Sequence, residues 1–110
     1  MKITMLLKSG PRTDEAQRAF VTASDMLAQG HDVALFLLQE AVRFCAPGLR
    51  VSDTLSLEQL IEKGLKVYAL SNDLKLRGID ETLEQEQILK AGYDSLVDLM
   101  DASDRVMGIL

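Results

Sequence analysis

The segment Lys66–Asp80, KVYALSNDLKLRGID, decides how the rest of the chain is interpreted. Its apolar start, Val67–Leu70, has the composition of a buried strand, and the polar residues SND follow directly. A short helical turn is predicted next, and it stops at Arg77–Gly78. In α/β proteins, ligands bind just beyond the carboxyl ends of the strands. The polar end of this segment is therefore the first place to expect a functional site.

Outward from this segment, the sequence alternates between apolar stretches and stretches with helical periodicity. Near-continuous apolar runs are typical of strands that are buried on both faces of a parallel sheet. The alternation predicts an α/β fold: a single small domain, 1–110, with a mainly parallel β-sheet of four to five strands flanked by helices. The predicted strands are 2–8, 32–38, 66–70 and 105–109.

Cap signals place the helices between these strands. Thr13 is the predicted N-cap of the first helix, which Gly30 ends. The remaining predictions are a short helix at Gln39–Ala46, a helix capped by Ser56, a surface helix or partial loop at Glu81–Lys90, and a helix capped by Ser95 with Leu96, Val97, Leu99 and Met100 facing inward.

Composition excludes several classes of function. The net charge is −5 and the pI about 4.7, which is unfavourable for binding nucleic acid or an anionic membrane. No apolar run approaches the roughly 20 residues of a spanning helix. A single cysteine permits no internal disulfide, so we expect a cytoplasmic protein. Because so small a sheet often needs a partner to cover a face or an edge, we also expect self-association.

Sequence motifs of catalysis and cofactor binding are missing. The chain contains neither G-x-G-x-x-G nor G-x-x-x-x-G-K-[ST], and its only His and only Cys are far apart. We therefore predict no cofactor, no metal and no standard nucleotide site. The loop Ser9–Thr13 at a helix N-terminus could hold a small anion or serve a small hydrolase, although an ordinary strand-to-helix turn explains it as well.

Cys45 is the only candidate for a catalytic residue, and two interpretations are open. It is either a nucleophile or persulfide carrier near Arg43, or a small apolar residue packed beneath a short helix. The carrier interpretation predicts an exposed thiol with a lowered pKa. The packing interpretation is the one that the residue type favours, because free cysteines are among the most buried residues.

Polar residues follow three of the predicted strands and form the candidate ligand or partner site. They are Ser9 and Gly10 after the first strand, Gln39 with Glu40 after the second, and Asn72, Asp73 and Arg77 after the third. These residues could bind an anion or a partner's tail. They could equally cap turns and remain solvated, which is the structural interpretation.

The order of these segments resembles the DsrE/DsrF-like family, with its TusD and YchN-like sulfur-relay members. The resemblance lies in KITMLLKSGP (2–11), LFLLQEAV (35–42), ALSNDLKLRGI (69–79) and AGYDSLVDLMDASDRVMGI (91–109). It implies a three-layer sandwich around a small parallel sheet, assembly as a homotrimer or homohexamer, and other sulfur-relay proteins as partners. It also implies a persulfide-carrying cysteine at the end of the third main strand, where this chain has Leu70.

Three hypotheses follow from the residues and the resemblance. The first is a non-catalytic oligomeric subunit, or a module that binds a small ligand or a partner, because leucine cannot carry sulfur. The second is an active sulfur carrier that uses Cys45. The third is a small hydrolase or anion-binding enzyme at Ser9–Thr13. The sequence contains no catalytic constellation that decides whether the protein is an enzyme.

Overall fold

A computed structural model describes residues 1–45, 57–79 and 88–108 of the chain. Strands and helices alternate along the described residues. In chain order they are β1 (Lys2–Leu7), α1 (Asp14–Ala28), β2 (Asp32–Leu37), a 3₁₀ helix (Gln39–Cys45), α2 (Leu57–Glu62), β3 (Lys66–Leu70), α3 (Ser71–Leu76), β4 (Ile88–Ala91), α4 (Tyr93–Asp101) and β5 (Arg105–Gly108).

All strand pairs are parallel, and the five strands lie in the order β4-β3-β2-β1-β5. This confirms the predicted α/β class and the parallel sheet of four to five strands. The four predicted strands are present, with bounds that differ from the prediction by about one residue where the structure describes them. Since β4 and β5 form opposite edges, α4 must cross the sheet between them.

The sheet has a core on one face, which we call face one. Side chains that alternate along the central strands point there and pack against the apolar side of α1. That side of α1 consists of Ala16, Ala19, Phe20 and Ala23. Thr13 accepts a hydrogen bond from the Ala16 amide, which confirms the predicted N-cap. Small residues on α1 let the helix lie close to the large strand side chains.

The opposite face, face two, carries Thr4, Ala34, Phe36 and Tyr68. The rings of Phe36 and Tyr68 stack with centroids 5.8 Å apart. Leu99 of α4 lines a cleft together with Thr4, Ala34 and Tyr68, so α4 covers this face. The Ser103 hydroxyl donates to the carbonyl of Leu99 and is itself hydrogen bonded to Thr4 Oγ1, which fixes the end of α4 to β1.

Three predictions in the C-terminal half of the chain are wrong. Residues 88–90, predicted as the end of a surface helix or partial loop, belong to the edge strand Ile88–Ala91, whose backbone pairs with β3. The last helix begins at Tyr93 after an extended Gly92, so Ser95 lies inside it and is no cap. Val97 faces outward and is 54% exposed.

Several predictions fall on residues that the structure does not describe. The Ser56 cap and residues 81–87 lie outside the described ranges, as does residue 109 of the last predicted strand. Within the described ranges, no helix is both long enough and apolar enough to cross a membrane.

Candidate functional site

The carboxyl ends of β1, β2 and β3 bring five of the predicted site residues together. A turn in the backbone just after β2 is the centre of this arrangement. Gln39 has a φ of 50°, an unusual conformation for a residue with a side chain. Its amide donates to Asp73 Oδ2 at 2.7 Å, and Asp73 is buried. The carboxylate of Asp73 therefore holds the turn after β2 against α3. Hydrogen bonds to a carboxylate are stronger than those between neutral groups.

Glu40, the next residue, connects this turn to two arginines. Its Oε1 accepts from Arg77 Nη2 at 2.9 Å and from Arg77 Nε at 3.1 Å. Its Oε2 accepts from Arg43 Nε. Hydrogen bonds first from Arg43 and then from Arg77 lower the pKa of Glu40 below its ordinary value. We call Glu40, Arg43, Asp73 and Arg77 the carboxyl-edge cluster.

The loop after β1 closes over the same cluster through Gly10. A Cβ atom at Gly10 would lie 3.3 Å from the carbonyl oxygen of Glu40, which is tighter than most real contacts. Glycine at this position allows the two loops to approach each other. Gly10, Gln39, Asp73 and Arg77 are thus neighbours, as expected from strands that end at one edge of a parallel sheet. Glu40 is the residue that joins them.

Two other predicted site residues stay apart from this cluster. Ser9 is half-buried and Asn72 is exposed. Among the described residues, no hydrogen bond joins either side chain to the carboxyl-edge cluster. The Thr13 hydroxyl donates to the Gly10 carbonyl and also caps α1, so it is already engaged in the structure. The anion or hydrolase hypothesis for this loop gains no geometric support from these contacts.

Charges in the carboxyl-edge cluster balance: two carboxylates face two guanidinium groups. Arg77, the less exposed arginine, is held by Glu40 and by the Asp73 carbonyl, with Asp73 Oδ1 3.8 Å from Nη1. An anion would have to displace these carboxylates to bind Arg77. The cluster contains no thiol, hydroxyl or imidazole group. The cluster is therefore a fixed polar rim at the carboxyl edge of the sheet, with its charges paired internally.

The environment of Cys45 contradicts the properties expected of a carrier. The residue is 3% exposed, and desolvation raises the pKa of its thiol to about 11. Neighbouring residues of the 3₁₀ helix share this burial, and the Phe44 ring contacts Phe20 with centroids 5.2 Å apart. The expectation of an exposed Cys45 with a lowered pKa is therefore wrong. The side chain packs in the core, and the nearby Arg43 pairs with Glu40 instead.

This raised pKa predicts a loss of stability at high pH. An unfolded thiol loses its proton near pH 9.0 and the folded one near pH 11. Between these values deprotonation favours the unfolded chain, so stability present below pH 9 is lost as the pH rises. At about 1.4 kcal/mol per pKa unit, we expect a loss of about 3 kcal/mol. Urea unfolding at several pH values measures it. The Cys45→Ala variant should lack this fall in unfolding free energy between pH 9 and 11. If the variant lost as much stability over this range as the original chain, the prediction would be contradicted.

A second testable feature is the hydrogen bond between Asp73 and the Gln39 amide. The Asp73→Ala variant leaves a partly buried amide without its acceptor, so we expect a loss of about 1–3 kcal/mol in unfolding free energy. Asp73→Asn keeps an oxygen acceptor and should lose less. Urea denaturation of both variants measures the difference. Asp25→Ala, which changes an exposed carboxylate on α1, is the control and should stay within about 0.5 kcal/mol of the original chain.

The end of β3 shows what occupies the position that the resemblance assigns to a carrier cysteine. Leu70 is the last residue of β3 and is 1% exposed. Ser71 begins α3, is partly exposed, and donates its hydroxyl to the carbonyl of Ala91 at 3.2 Å. A buried aliphatic side chain and an engaged hydroxyl therefore lie where the family resemblance places the carrier cysteine.

Similar folds occur in solved structures at low sequence identity. The crystal structure of the ychN protein from E. coli matches with a TM-score of 0.84 at 19% identity, and 98% of each chain is covered. A conserved protein of unknown function, BT1422 from Bacteroides thetaiotaomicron, matches with a TM-score of 0.73 at 13% identity, covering 98% of this chain and 94% of the other. Identities this low establish the shared fold alone.

Sequence comparison extends this likeness from fold to family. No curated protein matches the chain. The model of the DsrE/DsrF-like family, however, matches residues 1–108, which is nearly the whole chain and includes every described strand. The resemblance inferred from the apolar strands and from the Arg77–Gly78 turn is thereby confirmed. The chain belongs to the DsrE/DsrF-like family.

Proposed function

We propose that this protein is a non-catalytic member of the DsrE/DsrF-like family that binds a partner or a small ligand in an intracellular sulfur relay. The observation that carries the proposal is the state of its only thiol. Cys45 is buried with a raised pKa, and Leu70 stands where the family resemblance places the carrier cysteine. A thiolate is the species that attacks a sulfur donor, and this fold suppresses it.

Exposure to inorganic polysulfide, followed by intact-protein mass measurement, tests whether the chain carries sulfur. We expect no sulfur adduct on the folded original chain. A Cys45→Ala/Ser71→Cys variant places a thiol at the partly exposed start of α3 and should acquire an adduct. An adduct on Cys45 of the folded original chain would overturn the non-catalytic proposal and favour the second hypothesis, sulfur transfer by Cys45.

The binding part of the proposal concerns the carboxyl edge. The carboxyl-edge cluster holds the turn after β2 against α3, and Asn72 of α3 lies beside it with an exposed side chain. Affinity purification from the native cell, quantified for the original chain, Asn72→Ala and Arg77→Ala, tests this. We expect that the proteins or ligands that co-purify with the original chain are lost from both variants and retained by the Asp25→Asn control. An unchanged set with both site variants would show that the site is placed wrongly.

Self-association is a further part of the proposal, as a homotrimer or homohexamer. Its support is the edges of the sheet: within the described residues β4 and β5 each pair with a single neighbouring strand, and Leu89 and Val106 on these strands are 54% and 38% exposed. Sedimentation equilibrium should give a multiple of the 12.2 kDa chain mass. A single 12.2 kDa species at every concentration would contradict it.

A further inference from the structure

Helix α4 has an apolar surface that the sheet does not bury. An amphipathic helix in a small domain normally buries its apolar stripe against the core. Yet α4 has no buried residue, although it lies across face two. Leu96, Leu99 and Met100 are half-buried, while Tyr93 and Val97 are 57% and 54% exposed. Tyr93 and Val97 are four residues apart, so they lie next to each other on the helix surface.

A row of carboxylates runs beside these two apolar residues. Asp94 and Asp98 follow Tyr93 and Val97 directly, and Asp101 lies one turn beyond Val97. All three are exposed, and none takes part in an ion pair with the described part of the chain. The whole stretch Tyr93–Asp104 contains four aspartates and no lysine or arginine. We call Tyr93, Asp94, Val97, Asp98 and Asp101 the α4 surface.

The charge of this surface indicates what kind of molecule covers it. Two copies that dock symmetrically, each through this same surface, would place two rows of carboxylates against each other, which is unfavourable. An anionic membrane is excluded by the same repulsion. A segment with lysine or arginine beside apolar residues would pair its cations with Asp94, Asp98 and Asp101. It would also cover Tyr93 and Val97.

We propose that the α4 surface is a docking site for a basic amphipathic segment of a different protein. The hydroxyl contact between Ser103 and Thr4 anchors the end of α4, so the helix offers a fixed platform rather than a loose terminus. This inference does not depend on the proposed function at the carboxyl edge. The α4 surface shares no residue with the carboxyl-edge cluster, and it uses neither Leu89 nor Val106 of the edge strands.

A designed fluorescent peptide provides the probe: a helix of leucine and lysine with all leucines on one face. We expect saturable binding, measured by fluorescence anisotropy, and chemical-shift changes confined to α4 and its neighbours. Asp98→Asn/Asp101→Asn should weaken binding at least about tenfold, as should Val97→Ser. The control, Asp25→Asn/Glu62→Gln, removes the same charge from exposed positions on α1 and α2 and should change binding less than about twofold.

Several outcomes would overturn the docking proposal. Equal weakening by the control pair would show that the peptide responds only to net charge. Undiminished binding by the Val97→Ser variant would show that apolar contact with Val97 does not contribute to docking. Conversion of an oligomer to monomers by Val97→Asp, measured by sedimentation, would show that another copy covers the α4 surface. The last result would leave the proposed function at the carboxyl edge untouched.

Discussion

Cys45 in the folded chain will react with iodoacetamide at least about 100-fold more slowly than in the unfolded chain. The thiolate is the reacting species, and burial raises the pKa of this thiol from 9.0 to about 11. Two pKa units reduce the thiolate population about 100-fold at a pH below both values. Steric protection adds to this factor, since the side chain is 3% exposed and the reagent needs local opening of the core.

The measurement compares labelling rates by mass spectrometry in native buffer and in denaturing urea at one pH. The Cys45→Ala/Ser71→Cys variant serves as a control, because its thiol lies at a partly exposed position at the start of α3. It should label at similar rates in both conditions. If Cys45 in the original chain labelled as fast when folded as when unfolded, the core position described above would be wrong. Sulfur transfer by this residue would then become the better hypothesis.

The three inner strands were predictable because they are largely buried, whereas the edge strand β5 was predicted although none of its four residues is buried. In β2 every residue from Val33 to Leu37 is buried, so the apolar run in the sequence is continuous. Strand β4 lies at the edge, and only Ile88 of its four residues is buried. The polar neighbours of β4 and its short length gave no period-2 signal. Helix α4 was misplaced at its start because Gly92 supplies no side-chain cap that a sequence pattern could reveal.

The candidate site was predictable in location but not in chemistry. Parallel strands end at one edge, so polar residues after β1, β2 and β3 had to converge there. Which charges pair depends on rotamers and loop geometry: Glu40 and Arg77 are 37 residues apart in sequence. Glu40 was predicted as a site residue beside Gln39, but its pairing with two arginines was not, because only the three-residue spacing to Arg43 signals a pair in the sequence. Cys45 illustrates the same limit. Arg43 lies close to it in sequence, but the guanidinium group pairs with Glu40 instead of approaching the thiol.

The two adjacent residues Leu35 and Phe36 will each be costly to truncate, although they point to opposite faces of the sheet. Both belong to β2, the central strand, and both are fully buried. Leu35→Ala removes volume from the core on face one and should cost about 2–5 kcal/mol in unfolding free energy. Phe36→Ala leaves a cavity on face two and removes the stacking on Tyr68, so we expect about 3–5 kcal/mol.

Urea denaturation of both variants measures these losses, with Leu76→Ala as the matched control. Leu76 is 73% exposed on α3, and its truncation should change stability by less than about 0.5 kcal/mol. The comparison between Leu35 and Phe36 tests the layer structure itself. If Phe36→Ala cost less than about 1 kcal/mol while Leu35→Ala remained costly, face two would not be packed beneath α4. The α4 surface would then lose the fixed platform on which its proposed docking depends, whereas the carboxyl-edge cluster, built from the ends of β2 and β3, would keep its support from the core on face one.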